Sequence, residues 1–113
     1  MKLRAVLATG VVASTLVAVP SAQARVRLVS LSSPVRRGSW ARVTVAVSPA
    51  RPCSITVRYD GRLARAVGLY PKLPSHGRIS WIWKVGPKTP TGRWPISIAC
   101  RSAGRLYAAF IVR

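Results

Sequence analysis

A period of two runs through the segment Cys53-Ser54-Ile55-Thr56-Val57-Arg58-Tyr59-Asp60-Gly61. Apolar side chains alternate with polar ones from Cys53 to Tyr59, which predicts a strand with one buried face and one wetter face. The dipeptide Asp60-Gly61 then gives the strongest short-range signal for a two-residue hairpin. The segment therefore predicts a β-strand that turns back into an antiparallel neighbour.

The same alternation recurs along the chain, and Pro or Gly interrupts it at short intervals. No stretch after the first two dozen residues sustains the 3.6-residue apolar period of a helix. The pattern predicts seven strands, over residues 26–32, 42–48, 54–59, 62–67, 79–85, 94–99 and 105–112. Seven short antiparallel strands at this spacing predict an all-β fold, a two-sheet sandwich of immunoglobulin-like type.

Residues 1–24 have the pattern of a secretory signal peptide. A short basic start, residues 1–4, precedes an apolar run over residues 5–19, and Ala22-Gln23-Ala24 matches the small-x-small motif that signal peptidase cleaves. A retained membrane anchor is the alternative, but the apolar run is shorter than the roughly 20 residues that span a bilayer. We expect cleavage after Ala24 and one extracytoplasmic domain, residues 25–113, close to the smallest size that buries an adequate core.

Cys53 and Cys100 are the only two cysteines. An extracytoplasmic compartment permits oxidation, so we expect them to form a disulfide. A zinc site is the rival interpretation, but two thiols and His76 fall short of the four ligands that such a site needs.

The position of the two cysteines also predicts a strand register. In an immunoglobulin-like sandwich the third and sixth strands are antiparallel neighbours in one sheet. If Cys53 faces Cys100, the register creates three further apolar pairs: Ile55–Ile98, Val57–Ile96 and Tyr59–Trp94. The predicted bridge therefore joins neighbouring strands of one sheet. Pro95 lacks an N–H, which a central strand tolerates only near its beginning.

The last third of the chain resembles the end of small exported bacterial immunoglobulin-like domains. The matching segment is Trp81-Ile-Trp-Lys-Val-Gly-Pro-Lys-Thr-Pro-Thr-Gly-Arg-Trp-Pro-Ile-Ser-Ile-Ala-Cys100, in which Gly92, Trp94, Ile96, Ile98 and Cys100 carry the match. The resemblance implies a β-sandwich and export, with Cys53 as the partner of Cys100. Such domains serve as spacers, adhesion modules and accessories to envelope enzymes. The antibody pattern is not matched, because no Trp follows Cys53 in the next strand and Ile98 stands where a Tyr would.

The charge balance excludes most catalytic classes. Nineteen Lys and Arg residues face a single carboxylate, Asp60, so that the net charge is +18. Glycosidases need paired carboxylates, the usual triads need an acid to orient the His, and hard cations need several oxygen ligands. His76 is expected to be a solvated loop residue. We therefore expect no enzyme activity, no catalytic residue, no metal and no cofactor.

Strands that alternate up and down place the loops 33–39, 60–61 and 86–92 at one end of the sandwich. That end is predicted to collect five candidate anion-binding residues: Arg36, Arg37, Arg62, Lys88 and Arg93. The opposite end is predicted to hold Arg51, Lys72, Arg78, Arg101 and Arg105. The guanidinium group suits bidentate binding of phosphate and carboxylate. An Arg-rich composition that merely solvates the surface is the alternative.

Large aromatic side chains provide a second class of candidates. Trp81 and Trp83 alternate with polar residues and are expected in the core, where each buries a large area. Trp40 and Trp94 lie next to loops, so they could be either core residues or exposed aromatic contacts.

These features lead to one functional hypothesis and two alternatives. The hypothesis is a secreted, non-catalytic binding or accessory module that associates with the cell envelope or with an extracellular anionic polymer. One alternative is a cationic membrane-active effector, although the chain lacks the basic amphipathic helix typical of that class. The other is a structural protein-interaction domain anchored by Trp40 or Trp94. No specific nucleic-acid site and no transmembrane segment in the mature chain is predicted.

Overall fold

A computed structural model describes residues 24–113, and within this range the chain forms two antiparallel sheets. The strands are β1 Arg25–Leu31, β2 Trp40–Ser48, β3 Cys53–Tyr59, β4 Arg62–Leu63, β5 Arg78–Lys84, β6 Gly92–Cys100 and β7 Gly104–Val112. The signal peptide that the sequence predicts lies outside the described residues, except for Ala24.

The strand order is that of an immunoglobulin-like sandwich. One sheet has the order β1-β2-β5, and the other has the order β4-β3-β6-β7. In antibody constant domains the fourth strand lies in the sheet of the fifth, whereas here β4 pairs with β3. The predicted fold class, a seven-stranded antiparallel sandwich, is confirmed.

The core lies between the two sheets and consists of the inward-facing residues of the alternating strands. In the first sheet, Val43 and Val45 of β2 face inward beside Trp81 and Trp83 of β5, and all four are fully buried. The second sheet contributes residues of β3, β6 and β7, such as Phe110, whose ring packs edge-on against Trp83 with 5.7 Å between centroids. The prediction that Trp81 and Trp83 belong to the core is confirmed.

The disulfide and its register also agree with the prediction. Cys53 and Cys100 are bonded and lie directly opposite each other, with their Cα atoms 4.0 Å apart. The apolar pairs Ile55–Ile98 and Val57–Ile96 follow in the same ladder. The bridge therefore connects two neighbouring strands within one sheet.

The fourth predicted pair, Tyr59–Trp94, is not formed, because the ladder between β3 and β6 ends at Val57–Ile96. The hydrogen bonds of Cys53 and Val57 point away from β6, towards Lys72 and Ala64. In an antiparallel ladder the bonds of alternate residues point to opposite sides, so the next bond towards β6 would join Arg58 to Pro95. Since Pro95 has no N–H, the two strands separate there.

The fourth strand is shorter than predicted, ending at Leu63 where the sequence suggested residue 67. The chain then leaves the sheet, and residues 66–72, here called the crossing segment, run along the free edge of β5. The Trp81 indole N–H donates to the Tyr70 carbonyl at 2.8 Å. Gly68, with a φ of 106°, lies so close to β5 that a Cβ there would overlap the Ile82 carbonyl oxygen. The residues after Leu63 therefore contact β5 through single hydrogen bonds and close packing, and they do not pair with it as a strand.

The crossing segment returns to the second sheet beside the disulfide. The backbone N–H groups of Cys53 and Lys72 each donate to the other residue's carbonyl at 2.9 Å. The Lys72 ammonium group donates to the Ser80 carbonyl of β5 at 2.8 Å. The segment thus ties the edge of the first sheet to β3 of the second.

Candidate polyanion-binding site

The loop between β1 and β2 is fastened to the end of β7. The Ile111 N–H donates to Ser33 Oγ at 3.0 Å. The Val35 N–H donates to the Ile111 carbonyl at 2.7 Å, and the Arg113 N–H donates to the Val35 carbonyl at 2.9 Å. The Arg37 N–H then donates to the Arg113 carbonyl at 3.0 Å. These bonds place the exposed Arg36 and Arg37 next to Arg113.

The remaining predicted cations lie at the same end of the sandwich. Arg93 of β6 pairs with Ile111, the residue to which the loop is bonded. Arg62 pairs with Tyr59 at the β3–β4 hairpin, and Lys88 lies in the loop between β5 and β6. All five predicted residues are exposed. We call them, together with Arg113, the Arg-rich end.

Arg113 is not among the candidate anion-binding residues that the sequence predicts, although the alternating directions of the strands indicate its position. The predicted seventh strand stopped at residue 112, and the alternation of strand directions places its far terminus beside the 33–39 loop. Arg113 is exposed and directly follows β7. A predicted seventh strand that ended one residue later would have placed Arg113 at this end of the sandwich.

The single carboxylate also lies at this end, where it serves the turn. Asp60 and Gly61 both have positive φ, 50° and 79°. Positive φ at both central residues defines the tight hairpin turn that an Asp-Gly sequence prefers. The predicted hairpin is thus confirmed. One side-chain carboxylate among six basic side chains leaves the Arg-rich end strongly positive, which favours anionic ligands.

An aromatic cluster of Tyr59, Trp83 and Phe110 lies between the two sheets, next to the Arg-rich end. The Trp83 indole N–H donates to the Tyr59 hydroxyl oxygen at 3.0 Å, which links β5 of one sheet to β3 of the other. The Tyr59 ring also contacts Phe110 of β7, with 6.1 Å between the ring centroids. Burial raises the pKa of the Tyr59 phenol, and the hydrogen bond from Trp83 opposes this effect. The phenol therefore stays neutral and structural at ordinary pH.

The opposite end is differently constructed. Arg78, Arg101 and Arg105 are exposed there, as predicted. Lys72 instead uses its ammonium group on the Ser80 carbonyl, with the Tyr70 ring 5.2 Å away. Arg51 donates to the neighbouring Ala50 carbonyl at 3.1 Å. Two of the five basic residues at this end therefore already have contacts within the protein.

The two uncertain tryptophans differ in their environment. Trp94 is partly buried against the core, and its indole N–H donates to the Pro90 carbonyl at 2.8 Å. Its ring also lies over Gly92, where a Cβ would come within 3.0 Å of the indole. Trp40 is 63% exposed on the outer face of the first sheet. Trp94 thus stabilises the loop before β6, whereas Trp40 is available for an external contact.

His76 is exposed in a loop with a φ of 54°, and Ser75 Oγ lies 3.2 Å from its Nδ1. In residues 24–113 no group of three or more His, Cys, Asp or Glu side chains is arranged to hold a metal ion. Over the same range, the chain has no helix of the length and apolar character required to cross a membrane.

Comparisons with known proteins give little further identification. No family model matches this chain, and no curated protein matches it. Among solved structures, the chain is similar to a chimeric titin Z1Z2-Z1Z2 tandem functionalised with a GRGDS peptide from fibronectin. The sequence identity is 18% and the TM-score is 0.47; the match covers 80% of this chain and 50% of the titin chain. This chain therefore spans about half the length of that protein.

Proposed function

We propose that the protein is a secreted, non-catalytic binding module that attaches to an anionic polymer, at the cell envelope or outside the cell, through the Arg-rich end. The main support is the set of backbone hydrogen bonds that hold the 33–37 loop against the end of β7. These bonds bring Arg36 and Arg37 to Arg113 and to the strand pair that contains Arg93. The disulfide is consistent with an oxidising compartment outside the cytoplasm.

The physical advantage of this arrangement is preorganisation. Cations on mobile loops lose conformational entropy when they bind, whereas a backbone fastened to a sheet has already lost most of it. Six cations at one end also create a field that attracts a polyanion from a distance at low salt. Each phosphate or carboxylate of the polymer then releases counterions when an Arg replaces them.

A protein-interaction role is the second candidate, because Trp40 is 63% exposed. Exposed Trp and Arg residues are the types most enriched at the energetic centres of protein interfaces. A protein ligand would bind with weak salt dependence if Trp40 carried the affinity. A polyanion would bind with strong salt dependence, so the two candidates are separable by one titration.

The test is a salt titration of binding to polyphosphate, an anion without sugar rings or bases. For the wild-type protein we expect log K to fall linearly with log [NaCl]. Replacing three cations of the Arg-rich end (Arg36→Gln, Arg37→Gln and Arg93→Gln) should weaken binding and make the slope shallower, by roughly 0.7 for each phosphate that is no longer neutralised.

A matched control removes the same charge from the opposite end through Arg78→Gln, Arg101→Gln and Arg105→Gln. We expect this variant to retain most of the affinity and the wild-type slope. Equal losses in both triple variants would mean that the charge acts diffusely, as the compositional alternative holds. Absence of binding by the wild-type protein at low salt would reject the proposal.

A further inference from the structure

A groove of about 540 Å³ lies on the outer face of the first sheet, next to the Arg-rich end. One wall is formed by Trp40 of β2 with Ile82 and Lys84 of β5. The other wall is formed by the crossing segment, including Val67 and Tyr70. Its volume lies in the range of about 300–1,000 Å³ that is usual for ligand clefts.

The folding of the domain does not explain the apolar character of this groove. Trp40 is 63% exposed, Tyr70 is 56% exposed and Val67 is 92% exposed. Farther along this face the outward Thr44–Ser80 pair is polar, and its hydroxyl oxygens are 2.7 Å apart. A contiguous group of exposed apolar side chains rimmed by polar residues marks a binding surface.

The groove is held open by contacts that involve neither Trp40 nor Val67. The Trp81 indole N–H fixes the Tyr70 carbonyl at 2.8 Å, and the Lys72 ammonium group lies 5.2 Å from the Tyr70 ring centroid. Gly68 sits against the Ile82 carbonyl, which sets the distance between the two walls. These contacts hold the crossing segment in place in the unbound protein, so a ligand does not have to order this segment when it binds.

Two cations lie on the sheet wall of the apolar surface. Lys84 pairs with Trp40 in the sheet, and Arg42 pairs with Ile82, so that both basic side chains stand on the outer face beside the groove. The chain has only one acidic side chain, Asp60, in the β3–β4 hairpin. The loop that carries Arg36 and Arg37 is bonded beside the groove, because the Gly38 N–H donates to the Val85 carbonyl at 2.6 Å and Trp40 follows two residues later.

We propose that this groove binds the sugar rings of an acidic polysaccharide, with Trp40 and Tyr70 against the ring faces and Lys84 and Arg42 on the carboxylates. The proposal rests on the proposed function and names its ligand class. A pyranose ring has an apolar C–H face that stacks on an aromatic side chain, and a uronic acid adds a carboxylate at the ring edge. Aromatic and cationic groups side by side match both features. A chain bound here would extend directly onto Arg36 and Arg37.

The experiment compares two probes by titration calorimetry, a galacturonic acid hexamer and polyphosphate. Trp40→Ala should weaken hexamer binding at least tenfold and leave polyphosphate binding within twofold of the wild type. Tyr107→Ala is the matched control, because Tyr107 is 71% exposed on the outer face of the other sheet. This control should bind the hexamer like the wild type.

A second variant keeps the test independent of any effect of Trp40 on folding. Val67→Asp places a carboxylate in the groove at a position that is 92% exposed, so we expect folding to be unaffected. It should weaken hexamer binding at least fivefold, while the fully methyl-esterified hexamer, which has no charge, should be affected much less.

The outcomes separate this proposal from the proposed function. If the wild type binds polyphosphate but not the hexamer, or if Trp40→Ala and Tyr107→Ala bind the hexamer equally, the groove proposal is wrong and the proposed function stands. If the wild type binds neither probe, both are wrong. If Trp40→Ala instead loses binding only to phosphatidylglycerol vesicles, the groove faces a lipid surface and the sugar assignment is overturned.

Discussion

Tyr59 connects the two sheets through a single polar contact inside the sandwich. Its hydroxyl oxygen accepts the Trp83 indole N–H at 3.0 Å, and its ring packs against Phe110. Trp83 is fully buried, so its N–H has little access to another partner. The hydroxyl group is therefore required at this position, and a purely apolar ring would leave a buried donor unsatisfied.

This contact predicts a specific dependence of stability on pH. Burial raises the pKa of Tyr59 in the folded protein, so above pH about 10 the unfolded chain loses its phenolic proton first. The unfolded state then binds fewer protons than the folded state, and the free energy of unfolding falls as the pH rises. Below pH 10 this contribution is fully present.

Tyr59→Phe provides the measurement. Near pH 7 the variant should be less stable by about 1–3 kcal/mol, because the Trp83 N–H loses its acceptor. From pH 9 to pH 11 the gap between the two proteins should narrow, since only the wild type carries the Tyr59 titration. Urea unfolding followed by circular dichroism would measure it, and a constant or widening gap would contradict the assignment.

Individual aromatic residues show where sequence reasoning reaches its limit. The burial of Trp81 and Trp83 follows from strand alternation alone, because alternate residues of β5 face the core. The outward position of Trp40 follows from the same alternation once β2 begins at Trp40 and not at residue 42 as predicted. The groove beside Trp40 does not follow, because only the crossing segment, whose path has no periodic signal, forms its second wall.

Among the elements, β3 and β6 define the architecture, and their pairing could be predicted. The two cysteines set the register, and the pairs Ile55–Ile98 and Val57–Ile96 follow from it. The ladder ends before Tyr59–Trp94 because Pro95 offers no N–H to Arg58. The sequence contains part of this information, because a central strand tolerates Pro95 only near its beginning. The direction of each hydrogen bond, however, is clear only from the structure.

The fourth strand could not be predicted correctly for a different reason. Residues 62–67 contain apolar residues that suit a strand, yet pairing stops after Leu63. The chain instead reaches the free edge of β5, where Trp81 and Ile82 provide contacts. These contacts connect residues that are distant in sequence, so no local pattern could have indicated them.

The disulfide leads to a prediction about the stability of the β3–β6 pair. It closes a loop with a sequence separation of 47, so removing it should lower the free energy of unfolding by about 4 kcal/mol in the chain-entropy model. The double variant Cys53→Ala/Cys100→Ala should therefore unfold at a much lower urea concentration. The apolar pairs remain, so its β-sheet circular dichroism spectrum should still resemble that of the wild type.

Reduction supplies the control for this prediction. The wild type treated with a reducing agent should match the double variant, and the double variant should not respond to the agent. Equal stability of the oxidised wild type and the double variant would show that the bridge contributes nothing to the fold.

Over the whole molecule, the dominant physical feature is a charge distribution with almost no acidic component. The net charge of +18 arises from nineteen basic residues and one carboxylate. Ion pairs therefore cannot be a general source of stability, and the fold depends on the buried core and the disulfide. The positive field extends over the surface. Under our proposals, specific binding is confined to the Arg-rich end and to the groove beside Trp40.

This composition predicts unusual resistance to acid. Proteins unfold in acid mainly because carboxylates that are paired or hydrogen-bonded in the native state become protonated. Here Asp60 is the single side-chain carboxylate beside nineteen Lys and Arg residues, so acid adds little to the self-repulsion already present at neutral pH. Thermal unfolding at pH 7 and pH 2, at one ionic strength, should give midpoints within about 8 °C of each other, a difference of roughly 1 kcal/mol for a domain of this size.

An Asp60→Asn variant isolates the single side-chain carboxylate: its melting temperature should be nearly the same at both pH values. Cooperative unfolding of the wild type between pH 4 and pH 2 would instead mean that Asp60 carries a structural role beyond its turn.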